Sequence, residues 1–205
     1  RGSYGTSFTA PSMAQMFSSE IQLGSVRDIN DSPFVRLALL GNKNLKPATS
    51  ENINFGFRWS ITNEFDFTID YWEIDYKNRI EVESPQVLLN TNPYAQSVTR
   101  NQFGELIAVS TSYFNEEKTR VNGIDIEVNF SKIFDAGELS YSIKATQLSK
   151  FLTPENQDSL TLVNRVGKFN YDAHTHSLPE LRLNSFFGWR VNDFKIGINT
   201  RYVEG

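Results

Sequence analysis

A period of two, repeated in three hairpins, constrains this chain more than any other feature. From Ile53, the residues Ile53, Phe55, Phe57 and Trp59 alternate with Asn52, Asn54, Gly56 and Arg58. Ser60-Ile61-Thr62-Asn63-Glu64 reads as a short polar turn. Phe65, Phe67, Ile69 and Tyr71 then alternate with Asp66, Thr68 and Asp70. Successive strand side chains point to opposite faces, so this is a hairpin with one aromatic face and one charged face.

The plan recurs twice. Ile124, Ile126, Val128 and Phe130 share a face, opposite Gly123, Asp125, Glu127 and Asn129. After a turn near Asp135-Ala136-Gly137, Leu139, Tyr141, Ile143 and Ala145 oppose Ser140, Ser142, Lys144 and Thr146. In the third hairpin Leu181, Leu183, Phe187 and Trp189 share a face, with Ser185 as a polar interruption and Phe186 as an apolar one on the other side. Val191-Asn192-Asp193 is its turn, and Phe194, Ile196, Ile198 and Tyr202 follow. Past Tyr71 the apolar phase slips to Trp72, Ile74 and Tyr76. Either a bulge near Tyr71-Trp72 or an aromatic band at a membrane boundary accounts for the slip.

Between hairpins the connections are long. The segment from Phe17 to Lys46 has no sustained period and reads as a loop, preceded by one helical turn that Ser12 could cap. Glu81 to Phe103 reads as a second loop, marked by Pro85 and Asn92-Pro93, and Leu152 to Leu178 as a third. Leu106 to Phe114 fits a strand or a loop hairpin. Short and long connections alternate strictly, and aromatics on the apolar face flank the short ones: Trp59 and Phe65, Phe130, then Trp189 and Phe194. Eight steps from Phe194 to Tyr202 rise roughly 26 Å. A tilt of about 40° leaves about 20 Å of height, near the apolar band of an outer-membrane barrel. The expected fold is therefore all-β: a fragment of an antiparallel transmembrane β-barrel, with about seven strands, short periplasmic turns and long extracellular loops. The competing architecture is a soluble β-sandwich, whose strands also bury one face.

Composition agrees with a barrel and excludes other classes. No apolar run is long enough for a transmembrane helix. The formal charge of -4 argues against nucleic acid as a partner. With no cysteine, disulfides and thiolate-ligated metals are impossible. The chain opens at Arg1 with neither Met nor a signal peptide, and is expected to be a piece of something longer.

Four stretches resemble motifs of TonB-dependent outer-membrane receptors. Gly41-Asn42-Lys43-Asn44-Leu45-Lys46-Pro47-Ala48-Thr49-Ser50-Glu51-Asn52 is similar to that family's G-N-x-N-L-K-P-E-T-S-E-N, with Gly56 and Trp59 in the places of its G-x-x-W. Ala48 stands where the pattern has Glu. Tyr4-Gly5-Thr6-Ser7-Phe8-Thr9-Ala10-Pro11-Ser12 resembles S-x-x-F-x-A-P-S. Asp70 to Ile80 resembles D-Y-x-x-I-x-x-x-x-x-I, and Val121-Asn122-Gly123-Ile124-Asp125 resembles V-x-G-x-E/D. The resemblance implies that residues 1-205 are a partial receptor barrel from the C-terminal half of about 22 strands, with plug, TonB box and final strands lying elsewhere. It further implies residence in a Gram-negative outer membrane. The implied partners are membrane lipid, the TonB-ExbB-ExbD energy-coupling complex, and a scarce bulky nutrient such as siderophore-iron, cobalamin, a glycan or a peptide. A passive porin or adhesin barrel shares the fold and lacks the plug.

No catalytic constellation is present, so no enzyme activity, cofactor, resident metal or ligand-binding residue is assigned. His174-Thr175-His176 could place two imidazoles on one strand face but has no evident third ligand. Asp125 and Glu127 could serve as an acid/base pair, though the lining of a polar lumen explains them better. Glu116-Glu117-Lys118 reads as a solvated loop cluster. Glu155, Asn156 and Asp158 lack calcium-loop spacing. Phe34, Tyr94, Phe103, Tyr113, Phe114 and Tyr171 are loop aromatics that either meet a ligand or pack the loops.

A barrel fragment and a sandwich behave differently in buffer. Residues 1-205 alone should aggregate without detergent, because open sheet edges and an apolar face meet water. Light scattering after refolding checks this; a folded monomer in buffer would favour the sandwich.

Overall fold

The computed structural model describes residues 1–155, 159, 161–170 and 177–204. Seven long strands form a meander: β1 (Gly2–Thr9), β4 (Ala48–Thr62), β5 (Phe65–Val82), β7 (Leu106–Phe134), β8 (Gly137–Pro154), β10 (Leu181–Val191) and β11 (Phe194–Val203). They lie side by side in that order, each antiparallel to the next. The sheet does not close, and β1 and β11 are its two edges. The three short connections are two-residue turns at Asn63–Glu64, Asp135–Ala136 and Asn192–Asp193. The first is tighter than Ser60 to Glu64, because β4 carries on to Thr62 across a bulge. Asn192 takes a left-handed φ of 48°, which asparagine tolerates in such turns. Gly137 has φ 123°, and a Cβ there would collide with the Arg190 carbonyl oxygen.

The register keeps the alternating faces in line. Phe57, Ile69, Ile126, Ala145, Leu183 and Tyr202 form one continuous row across six strands. Phe65, Phe130, Tyr141, Phe187 and Ile198 form another. The apolar band does not follow these rows. Its upper limit lies at Phe8 on β1, Ile53 on β4, Tyr71 on β5 and Ala145 on β8, stepping progressively down the ladder. Its lower limit steps the same way, from Trp59 on β4 to Phe65 on β5, Leu139 on β8 and Phe194 on β11. A band of constant height crosses the rows obliquely only if the strands are tilted, as barrel closure requires.

The phase slip after Tyr71 is not a bulge. β5 pairs in unbroken register through Tyr71 and Trp72 with both neighbours, Phe55 and Asn54 on one side, Ile124 and Gly123 on the other. What changes is the solvent on each face. Above Tyr71 the outward face carries Glu73 and Asp75, while Trp72, Ile74 and Tyr76 pack on the inward face. The local irregularity belongs to β8, where Ser149 is inserted opposite the Asn122–Gly123 step. Gly123 has no room for a side chain: a Cβ there would sit 2.5 Å from the Gln147 carbonyl oxygen and 2.7 Å from Cζ2 of the Trp72 indole. Phe186 plays the same part further along. Gly188 and Gly197 face each other across β10 and β11, and Cβ atoms on them would come within 3.0 and 3.2 Å of the Phe186 ring. The apparent interruption by Phe186 is thus an aromatic cover over paired glycines.

Above the band the expected loops carry structure of their own. Phe17 to Lys46 contains a hairpin, β2 (Ser19–Ser25) and β3 (Phe34–Leu40). Before it, α1 (Met13–Phe17) is the expected helical turn, and Ser12 and Gln15 form a reciprocal capping box. Glu81 to Phe103 contains α2 (Pro85–Thr91), capped by Ser84, and β6 (Val98–Arg100). Leu106 to Phe114 is neither a separate strand nor a hairpin but the top of β7, which runs 29 residues without a break. β3 and β6 both pair with that top. Val26, Val35, Leu89, Leu106 and Val109 are buried together there as a small core. The third connection begins later than Leu152, since β8 reaches Pro154, and it includes β9 (Leu162–Asn164) on β8.

These facing assignments predict opposite fates for adjacent residues. In the full-length protein, Ile126→Arg puts a charge mid-band on the apolar face and should cost about 2–4 kcal/mol if it sits at the bilayer midplane. Glu127→Gln, one residue on and facing the other way, should insert normally. Denaturant titration in lipid vesicles and outer-membrane yield measure both.

Candidate functional site

Two regions bear chemistry: the polar face of the sheet, and the loop assembly on top of β7. On the polar face, charges are neutralised strand by strand. Arg58 Nε lies 3.0 Å from Asp66 Oδ1, which also accepts 2.7 Å from Ser60. Arg1 pairs with Asp70. Glu127 meets Lys144 Nζ at 3.1 Å and accepts from Asn129 at 3.0 Å, while Asp125 accepts from the Thr146 hydroxyl at 2.7 Å. These groups line an open recess of about 500 Å³. Asp125 and Glu127 are therefore lining residues held by partners on β7 and β8.

Higher up, Arg79 is a hub that sequence patterning missed. Its guanidinium reaches Glu116 at 2.7 Å and Glu81 at 2.7 Å, and lies 5.7 Å from the centroid of the Phe151 ring. Glu116 is buried and also accepts from Thr119. The Glu116 part of the expected solvated cluster is thus corrected; Glu117 and Lys118 remain exposed. Burial pushes the Glu81 carboxyl up from its ordinary value, against the pull of Arg79 and with the help of Glu116.

The Gly41–Asn52 motif turns out to be a clip. Asn42 Nδ2 donates to the Tyr113 carbonyl at 2.9 Å. Asn115 accepts from the Lys46 amide at 2.7 Å and donates to the carbonyls of Lys46 and Asn78, each at 2.8 Å. Leu45 is buried beneath it. The motif thus fixes the entry of β4 against β5 and β7.

The loops are tied by a second hub. Arg100 makes a bidentate pair with Asp28, at 2.6 and 2.7 Å, and donates to the carbonyls of Pro93 and Gly104. The Tyr94 ring stacks over the guanidinium at 5.2 Å. Both charges are largely buried, and hydrogen bonds from Arg100 hold the Asp28 carboxyl below its ordinary range. Gln86, also buried, closes the other side by exchanging bonds with the Arg27 backbone at 2.8 and 2.9 Å. Of the loop aromatics, Phe34, Tyr94 and Phe103 are well exposed, whereas Tyr113 and Phe114 are half-buried. Tyr171, the histidine pair at 174 and 176, Asn156 and Asp158 lie outside the described residues. Among the described residues, no three His, Asp or Glu side chains converge as a metal site, and no helix is long and apolar enough to cross a membrane.

The family model of TonB dependent receptor-like β-barrels matches residues 1–205. The chain belongs to that family. Its fold recurs in solved receptors of low identity. One is the siderophore receptor PirA of Acinetobacter baumannii, at 17% identity and TM-score 0.57, over 97% of this chain and 25% of that one. Another is a mutant of the ferric enterobactin receptor PfeA of Pseudomonas aeruginosa, at 19% identity and TM-score 0.60, over 99% and 25%. A third is the hemophore receptor HasR of Serratia marcescens, at 16% identity and TM-score 0.57, over 100% and 29%. The chain thus spans a quarter to about three-tenths of the length of the structures it resembles. The family's barrel accounts for the tilted apolar band and the charged opposite face. The competing β-sandwich is not what the meander forms; the expected barrel fragment is.

The Asp28–Arg100 pair predicts a pH response of definite sign. Because the folded Asp28 value is depressed, its stabilisation is present above the ordinary aspartate value of about 3.9 and is lost as pH falls below it. Asp28→Ala should remove about 1.5–3 kcal/mol from the loop assembly at neutral pH. Limited proteolysis of residues 83–105 in the full-length protein, at pH 7 and pH 3, reads both effects.

Proposed function

We propose that residues 1–205 are part of the barrel wall of an outer-membrane receptor. In this reading the receptor imports a bulky extracellular nutrient under energy from TonB. The observation that carries it is the oblique apolar band with charged residues on the opposite face, in a chain that matches the family along its whole length. The open edges β1 and β11 support a longer chain, which would supply the remaining strands and a plug. Trp59, Phe130 and Trp189 then anchor the periplasmic edge of the band, where amphipathic rings favour the interface. The barrel does no covalent chemistry: it hides backbone polarity from lipid, and its loops meet the ligand. Two of the similar structures are siderophore receptors, so ferric siderophores are the first nutrients to try.

The test is a pair of deletions in the native host, one of this gene and one of tonB. Uptake of labelled ferric siderophores under iron limitation should be lost in both for at least one compound. Uptake that needs this gene but persists without TonB would replace active import with a passive porin.

A further inference from the structure

The hairpin β2–β3 ends in an edge that is built to pair. Among the described residues β2 pairs only with β3, and β3 in turn pairs in parallel with the top of β7. The hydrogen-bond phase of β2 is fixed at both ends. Gly41 N donates to Ser18 O, and Val26 N donates to Pro33 O. Both couples share the hairpin register, so the even-numbered residues of β2 exchange bonds with β3. The amides and carbonyls of Ser19, Ile21, Leu23 and Ser25 therefore point to the open side. Ile21 and Leu23 are also 70% and 63% exposed, and Phe34, opposite Ser25, is 68% exposed. Of the usual edge protection, the strand Ser19–Ser25 has no lysine, no proline and no bulge within its register, and its one charge is Glu20.

We propose that β2 receives a further antiparallel or parallel strand from the part of the same polypeptide outside residues 1–205, so that the loop sheet continues as the barrel wall does. This rests on the reading above that the chain is part of a longer barrel. Among the described residues the long strands with an open edge are β1, β11 and β2, beside the three-residue strands β6 and β9. The similar structures are about four times as long as the chain's share of them, so the same missing length that closes the barrel supplies an extended segment at loop height. An added strand satisfies the free groups of Ile21 and Leu23 and covers their side chains, which is how sheet edges gain main-chain affinity. Backbone pairing with alternate apolar contacts suits a protein segment.

Residue-resolved amide exchange on the full-length receptor, without nutrient, tests it. The β1 edge is an internal control. Gly56 N bonds to Arg1 O, which leaves the amides of Tyr4, Thr6 and Phe8 pointing away from β4. Barrel closure should protect these three. Strand addition should in addition slow Ile21 and Leu23 by about a hundredfold or more relative to an unstructured chain. Leu23→Pro removes a donor that β3 does not use, so it should abolish that protection at Ile21 while Gln22 and Gly24 stay slow. Fast exchange at Ile21 and Leu23 beside a protected β1 edge overturns the inference and leaves the barrel reading intact. Fast exchange at both edges overturns both. Protection of Ile21 and Leu23 that rises with protein concentration means a second copy is the occupant, and overturns the proposed source.

Discussion

Hydrocarbon offers no hydrogen-bond partner to a peptide group, so every amide and carbonyl within the apolar band must find one on a neighbouring strand. That requirement explains where this sheet is regular and where it is not. β5 and β7 stay in one register over Phe65 to Val82, with no slip. The register shifts fall outside the band: Ser60/Thr62 at the turn end, Asn122/Gly123 just above Ile124, and Thr99/Arg100 in the loop sheet. A bulge leaves one residue unpaired, which water repairs and lipid does not.

The same geometry forces polar residues onto the opposite face, and there the task is charge balance. Exposed pairs such as Arg58–Asp66 and Lys144–Glu127 contribute little to stability in water. Their effect is to keep a wall rich in carboxylates close to neutral while leaving it wet. At two places where glycines thin that wall, large rings lie over them: Trp72 over Gly123, and Phe186 over Gly188 and Gly197. The cover keeps the backbone hydrogen bonds of β7, β10 and β11 shielded without disturbing the pairing.

What the sequence disclosed follows from this division. Strand faces, the places of the three short turns and the Ser12 cap are readable, because alternation and capping are local and lipid enforces them strictly. The phase change at Tyr71-Trp72 was visible, but its cause was not. A change of environment and a bulge write the same letters, and only the pairing of Tyr71 with Ile124 separates them. The loop structure escaped because its order comes from distant partners. Asp28 and Arg100 are 72 residues apart, and Arg79 and Glu116 are 37 apart. Nothing near Glu116 in the chain distinguishes a buried acceptor from the exposed Glu117 beside it. The hairpin of Ile21 and Leu23 lacked a sign for a different reason: its inner face is built by β3, β7 and α2 together, so no single run carries the pattern.

β7 continues well past the level of Tyr71 and Ile124, and its top pairs with both β3 and β6, which share Ala108 and Val109 as partners. It works as a mast stepped in the membrane. Loops rigged to a rigid spar do not wander as free tethers would, since Arg100, Gln86 and Asn115 lash them at several points. In the proposed reading, a nutrient arriving from outside would meet a surface whose ordering cost was met during folding, so that association would sacrifice less chain entropy. A push on that surface would travel down a continuous strand into the wall itself.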